Sequence, residues 1–394
     1  MTQRERLFTR NFIILSIASF MTFIAFYLMM PIIAMYVVDE MGATSSTAGI
    51  VAASYIITAL LTRPFSGYLV DKYDRRKFYL TVLLFFSVSF IGYIISNNIT
   101  QLIITRVLLG AGFSLVTTAA NTLSIDVIPS SRRAEGIGYY GAIIVLAMAI
   151  GPMLGLYLIE FFSYNTLFIF ATLCSWVSLA IAYTVRTKPR ESVVHSDTLS
   201  LDRFILKDGL QVATVIALLY FLYGTLMVYV SLYVRECGLS IKSGNFFMLF
   251  ALGIIASRVL GARWLRRGLH SGVLIGGVGV IVVAGVIFTL LLTNVTLPIA
   301  SVMMGLGFGL VAPAVQAMMV ELVPASRRGT ANSTYFIALD LGSGFGMLVG
   351  GTIAYMWGYK MIYIIGIILA VVALVYYLLH ARRSYARRLA KSRL

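Results

Sequence analysis

Two residues carry charge where charge is expensive. Asp340 and Arg106 each lie well inside a long apolar run, and an ionisable group at membrane depth marks a pathway, a relay or a fixed pair. A carboxylate held in a low-dielectric cavity suits reversible protonation, so Asp340 is read as a proton-coupling or cation-binding group. Arg106 is read as a substrate or coupling residue; a structural ion pair is the alternative for both. Arg63 and Arg258 differ, because they sit near helix ends and can snorkel to the interface. Asn121 and Gln316 lie well inside their apolar runs and add amides to the candidate set. The three histidines, His195, His270 and His380, are far apart, and Cys174 and Cys237 suggest no disulfide framework. No metal-ligand spacing, nucleophile elbow or phosphate-cradling loop occurs, which points away from an enzyme and from a bound metal.

These residues must be positioned by helices in a bilayer. Of the 394 residues, 60% are hydrophobic and 12% charged, against about 45–50% and about 25% in a soluble domain. The apolar residues fall in runs of about 20, enough to cross ~30 Å of hydrocarbon as helices. Six runs lie near 11–37, 47–70, 78–96, 101–127, 135–160 and 166–185. Six more lie near 209–234, 245–265, 271–293, 297–322, 330–357 and 361–380. The first is too long for a removed signal peptide and lacks a small-residue cleavage site. A net charge of +16 would suggest nucleic acid in a soluble protein. Here about 25 of the 31 Lys and Arg fall on one set of loops and the tails, with only Arg235, Lys242 and Lys360 opposite. That bias predicts cytoplasmic N- and C-termini and no role for nucleic acid.

The chain also repeats itself. Gly110-Ala-Gly112-Phe113 recurs as Gly305-Leu-Gly307-Phe308, an offset of 195 residues. The same offset carries Pro129 to Pro324, Gly151 to Gly346, Gly155 to Gly350, Arg63 to Arg258 and Asn121 to Gln316. It carries Asp340 back to Val145 and Arg106 forward to Ser301, so each half holds one unmatched charge. The predicted organisation is a six-helix half over 1–185, a linker over 186–208, a second half over 209–380 and a basic tail over 381–394. Parallel six-helix repeats place a substrate near the midplane between them.

Between helices two and three runs Gly67-Tyr-Leu-Val-Asp71-Lys72-Tyr-Asp74-Arg75-Arg76-Lys77. Asp71 can face the positive N-terminal end of another helix, with Arg75 holding that carboxylate and Asp126 as a second partner for Arg75. This loop resembles the signature of the major facilitator superfamily, with Asp74 where the family usually has Gly. The resemblance implies a cytoplasmic latch of Gly67, Asp71, Arg75, Arg76 and Asp126, closing on helix eleven. Arg106-Val-Leu-Leu-Gly110-Ala-Gly112 looks like the family's intramembrane arginine motif. Gly141, Gly151, Pro152 and Gly155 on helix five resemble the motif of its antiporter branches, although Leu156 replaces the usual final Gly. Ordinary close helix packing accounts for the same stripe.

The resemblance implies an all-α major facilitator fold of 12 transmembrane helices in two pseudo-symmetric halves, resembling the drug/proton antiporter branch. It places Tyr27, Tyr55, Tyr140, Tyr223 and Tyr335 on cavity-lining helices, where a ring with a hydroxyl suits an amphipathic ligand. Packing competes as the explanation for each tyrosine, since the chain has 23 Tyr and 24 Phe. The implied activity is export of a small amphipathic molecule by a monomer in the inner membrane, powered by the proton gradient without a cofactor. Uptake symport or sugar efflux on the same fold, and a non-transporting membrane scaffold or sensor, are the alternatives.

Overall fold

The computed structural model describes residues 7–129, 132–186, 206–323 and 328–392. Among the described residues the chain is helical, without strands, and 12 helices are long and apolar enough to cross a membrane. In order they are α1 (Arg10–Asp39), α2 (Ser45–Lys72), α3 (Arg75–Ile95), α4 (Ile99–Val127), α5 (Arg133–Leu158) and α6 (Tyr164–Tyr183). After a 3-10 turn at Lys207–Gly209 come α7 (Leu210–Glu236), α8 (Ser243–Arg266), α9 (His270–Leu290), α10 (Thr296–Glu321), α11 (Arg328–Trp357) and α12 (Tyr359–Tyr376). Each begins and ends within a few residues of its apolar run.

Helix ends follow local chemistry. Asp74 caps α3, its side chain accepting from the Lys77 amide at 2.8 Å. Its φ of −55° needs no glycine, and a carboxylate at an N-cap satisfies an otherwise orphaned amide. That is the physical reason an acid serves where the family pattern has Gly. Asn98 caps α4 in the same way. Gly42 (φ +61°) and Gly238 (φ +65°) make the turns after α1 and α7, in the left-handed region that glycine enters without strain.

The tail departs from the sequence expectation. Residues 382–392 form a helix, α13 (Arg382–Ser392), continuing α12 through a π-helical turn at Tyr377–Ala381. Arg, Ala and Leu are good helix formers, so the helix extends beyond its apolar part.

The chain forms two compact units. One comprises Met1–Tyr36 and Ser54–Asp197; the other comprises Val37–Ala53 and Thr198–Leu394. Within the first, α3 packs on α4 and α6; within the second, α7 packs on α11 and α12, and α10 on α8 and α9. One crossing is built twice. A Cβ on Gly110 would run into the Tyr55 carbonyl oxygen, and a Cβ on Gly305 into that of Phe250. Both partners obey the 195-residue offset. Beside this contact Thr58 Oγ1 donates to the Val107 carbonyl at 2.7 Å, and at the equivalent place Gly253 lets the Val302 carbonyl approach.

Candidate functional site

Arg106 on α4 is fully buried in the first unit. Its Nη1 donates to the Tyr93 hydroxyl at 3.2 Å and its Nη2 to Met30 Sδ at 3.8 Å. Its guanidinium carbon lies 4.6 Å from the centroid of the Tyr55 ring and 6.0 Å from that of Phe26. Aromatic faces attract a desolvated cation, so the rings offset part of the cost of burying it. The rings are themselves fixed: Phe26 stacks on Phe113 at 3.8 Å and meets Tyr55 edge-on at 5.1 Å. Tyr55, expected at a cavity wall, therefore supports the arginine. Tyr27 is half-buried and stacks against Phe23.

Tyr140 and Asn121 stand in different surroundings, one buried and one exposed. Tyr140 is packed with Leu7, Phe12 and Ile128, and its hydroxyl lies 2.8 Å from Ser19 Oγ. Asn121 is exposed near the end of α4, its carbonyl accepting from the Ser124 hydroxyl at 2.7 Å. Helical spacing alone does not distinguish a face turned to a cavity from one turned to a neighbouring helix.

At the α2–α3 loop, Arg75 Nη1 donates to both oxygens of Asp126, at 2.7 and 2.8 Å. Arg76 acts on backbone instead. Its Nε donates to the Val185 carbonyl at 2.6 Å and its Nη2 to the Tyr183 carbonyl at 2.9 Å. It thereby caps the C-terminal end of α6, where carbonyls lack helical partners and the helix dipole favours a cation. The surroundings of Gly67 and the side chain of Asp71 lie outside what the structure describes. On α5, a Cβ at Gly151 would fall 2.8 Å from Tyr27 Cβ, and one at Gly155 would fall 2.6 Å from the Leu28 carbonyl oxygen. These two glycines let α5 touch α1. Gly141 faces open space, so close packing does not require it. Pro152 lies inside α5.

In the second unit Asp340 is half-buried on α11, twelve residues after Arg328, or about 18 Å along the axis. Among the described residues it is the one carboxylate more than a turn from a helix end. Tyr223 is buried beside Tyr220 (4.9 Å), Phe308 (5.4 Å) and Phe250 (6.2 Å). Tyr335 is buried against Phe336 at 5.2 Å. Gln316 Nε2 donates to Asn332 Oδ1 at 3.0 Å, tying α10 to α11. Arg258 lies on α8, eight residues before its end, with its side chain exposed at the surface of the unit.

Two clusters escaped the sequence. At one end of the second unit, Arg235 forms a two-point pair with Asp39, and Ser45 Oγ lies 2.6 Å from the Tyr359 hydroxyl. At the other end Glu321 is shared between His270 Nε2, at 3.0 Å, and the Tyr385 hydroxyl of α13. Their residues read as topology charges in isolation; the scarcity of basic residues around Arg235 was the one available signal.

The Major Facilitator Superfamily profile matches residues 15–298 and 268–394. The chain is similar to the quinolone resistance protein NorA of Staphylococcus aureus (strain MRSA252), 28% identical over 173 residues, which cover 44% of each chain. It thus spans less than half the length of that relative. It is also 25% identical over 371 residues to the uncharacterized MFS-type transporter YhhS of Escherichia coli (strain K12), covering 90% of this chain and 89% of that one. Its fold resembles the crystal structure of the nucleoside transporter NupG, with a TM-score of 0.76, 14% identity and coverage of 94% of this chain and 99% of the other. A bacterial homologue of the human lysosomal transporter Spinster gives a TM-score of 0.77 at 14% identity, covering 98% and 99%. With twelve apolar helices and a family match running from residue 15 to residue 394, the chain belongs to the Major Facilitator Superfamily of membrane transporters.

Proposed function

We propose that this transporter exports small amphipathic molecules in exchange for protons, as a monomer moving between inward- and outward-open states. The observation that carries the coupling is Asp340: among the described residues, it alone presents a carboxylate at the middle of a spanning helix. A protonatable group at that depth can be loaded from one side and unloaded to the other, which is what exchange requires. The likeness to NorA supports a drug-like substrate, since that relative is a quinolone resistance protein. The half-buried Tyr27 on α1 offers a ring face and a hydroxyl to such a ligand. The excess of Lys and Arg on one set of loops supports an inner-membrane protein with both termini in the cytoplasm. No cofactor is needed, because the proton gradient supplies the energy.

The test is transport of a fluorescent quinolone by purified protein in liposomes under an imposed pH gradient. Asp340→Asn is expected to reduce gradient-driven movement at least ~10-fold, about 1.4 kcal/mol or more of the coupled step, with the amount of folded protein unchanged. Full retention in that variant sinks the coupling role. Movement of the quinolone only along the proton flux would reverse the proposed direction.

A further inference from the structure

The arrangement of α13 points to a lipid-binding platform: we infer that its exposed arginines hold anionic phospholipid headgroups at the end of the twelfth span. The inference rests on membrane insertion and is independent of substrate and coupling ion.

The helix is fixed on one side. Tyr385 is buried and donates to Glu321 at the end of α10, while Arg388 Nη1 reaches Asp208 Oδ1 at 2.5 Å, before α7. The preceding π-helical turn is anchored by Tyr377, fully buried, whose hydroxyl donates to Ser271 Oγ at 2.6 Å. A helix held at residues 377, 381, 385 and 388 turns its other face outward. That face carries Arg382, Arg383, Ala386 and Arg387, all exposed. Two arginines on the same helix therefore differ in use, Arg388 docking it and Arg387 facing away.

Depth follows from helix geometry. From Tyr359, ~30 Å of hydrocarbon takes about 20 residues and ends at Leu378 and Leu379, which are 40% and 58% exposed, as lipid-facing side chains are. Arg383 then stands about 6 Å beyond the hydrocarbon and Arg387 about 12 Å beyond it, at about 1.5 Å per residue. The headgroup layer is itself roughly 5–8 Å deep. Side chains on a helix lean toward its N-terminus, which for α13 is back toward the bilayer. The guanidiniums thus reach the phosphate level, and their planar forks suit phosphate oxygens. A docked helix presents them already ordered, which lowers the entropic cost of binding.

The experiment uses the full chain in nanodiscs, with a fluorophore on Ala386→Cys and with Cys174 and Cys237 replaced by Ser. Accessibility to aqueous acrylamide, an uncharged quencher that surface charge does not repel, is compared between pure phosphatidylcholine and a bilayer with phosphatidylglycerol added. Phosphatidylglycerol is expected to shield the fluorophore, and roughly 0.5 M salt to abolish the shielding. Replacing Arg382, Arg383 and Arg387 together by Gln should weaken the phosphatidylglycerol dependence, by about fivefold per arginine. Tyr385→Phe, made with all three arginines kept, should give a shallower dependence, since a helix released from Glu321 must be ordered on binding. Equal acrylamide access in both bilayers overturns the inference and leaves the face to a soluble acidic partner. Shielding by inorganic phosphate alone, in phosphatidylcholine, also overturns it, because the site would then be for a free anion. Loss of quinolone transport does not bear on this readout, so the two proposals fail separately.

Discussion

Arg235 and Asp39 meet in a two-point ion pair, with Nη1 2.9 Å from Oδ2 and Nη2 2.6 Å from Oδ1. The pair joins the end of α7 to the end of α1, 196 residues apart in sequence. Both side chains are partly exposed, at 55% and 25%, so solvent screens the attraction. A double-mutant cycle on Asp39→Asn and Arg235→Gln should give a coupling of about 0.2–1 kcal/mol in thermal unfolding of the purified protein. A coupling of several kcal/mol would show that the pair is not screened as its exposure implies.

Beside that pair, the start of α2 meets α11 through glycine. A Cβ on Gly49 would lie 2.5 Å from the Tyr229 hydroxyl and 2.7 Å from the Met347 carbonyl oxygen. The Tyr229 hydroxyl already donates to that same carbonyl at 2.5 Å, so neither group can retreat freely. Gly49→Val should therefore cost about 1–3 kcal/mol of stability, as overpacking does. Gly141→Ala should be neutral or slightly stabilising, because Gly141 faces open space in a helix. Thermal unfolding of the two variants in one detergent checks both signs.

The repeated crossing makes a paired prediction. Gly110→Ala and Gly305→Ala should each lose about 1–3 kcal/mol and by similar amounts, since each Cβ meets a backbone carbonyl that cannot swing aside. Unfolding midpoints of the two variants, measured side by side, check the symmetry. The glycines were visible in the sequence as a repeat over helices four and ten. Their partners were not. Tyr55 and Phe250 contribute carbonyl oxygens to these contacts, and a backbone atom leaves no trace in residue type. The same limit applies to side-chain surroundings. Apolar runs set where helices begin and end, and the scarcity of mid-helix carboxylates singled out Asp340. Which helix a given face meets is decided by tertiary packing. Tyr140 lies on a helix that the family resemblance makes cavity-lining, and its side chain packs beside Ser19 and Phe12. Glu321, at the end of the run over 297–322, carries no sequence mark of its two partners, His270 and Tyr385.

Arg75 and Arg76 are adjacent and should respond differently to the same substitution. Arg75 acts on a carboxylate, so exchanging the charges of Arg75 and Asp126 should recover part of what either single reversal loses. Arg76 holds two backbone carbonyls through separate nitrogens, 2.6 and 2.9 Å away. No side-chain exchange can restore that geometry, and Arg76→Lys should lose about 1 kcal/mol because an ammonium lacks the planar fork. Unfolding midpoints of the single variants and of the exchanged pair separate the two roles.

Tyr55 distinguishes a substrate wall from a support for Arg106. Its ring lies 4.6 Å from the guanidinium and the side chain is buried. If the ring face is what matters, Tyr55→Phe keeps the interaction, and transport should stay within about twofold of the parent. Tyr55→Leu removes the π-face, and the loss of about 1–2 kcal/mol of cation–π attraction should appear as a roughly 5–30-fold fall in transport. Arg106→Met completes the comparison. An apolar side chain of similar length can fill a site between Met30, Phe26 and Tyr55 without a charge to desolvate, so folding should survive while transport is lost. The Tyr93 hydroxyl, now without its donor, would account for a modest stability cost of about 1 kcal/mol. A raised KM in Tyr55→Phe at unchanged kcat would instead place the hydroxyl on the substrate, and would move Tyr55 from the support of the arginine to the wall of the binding site.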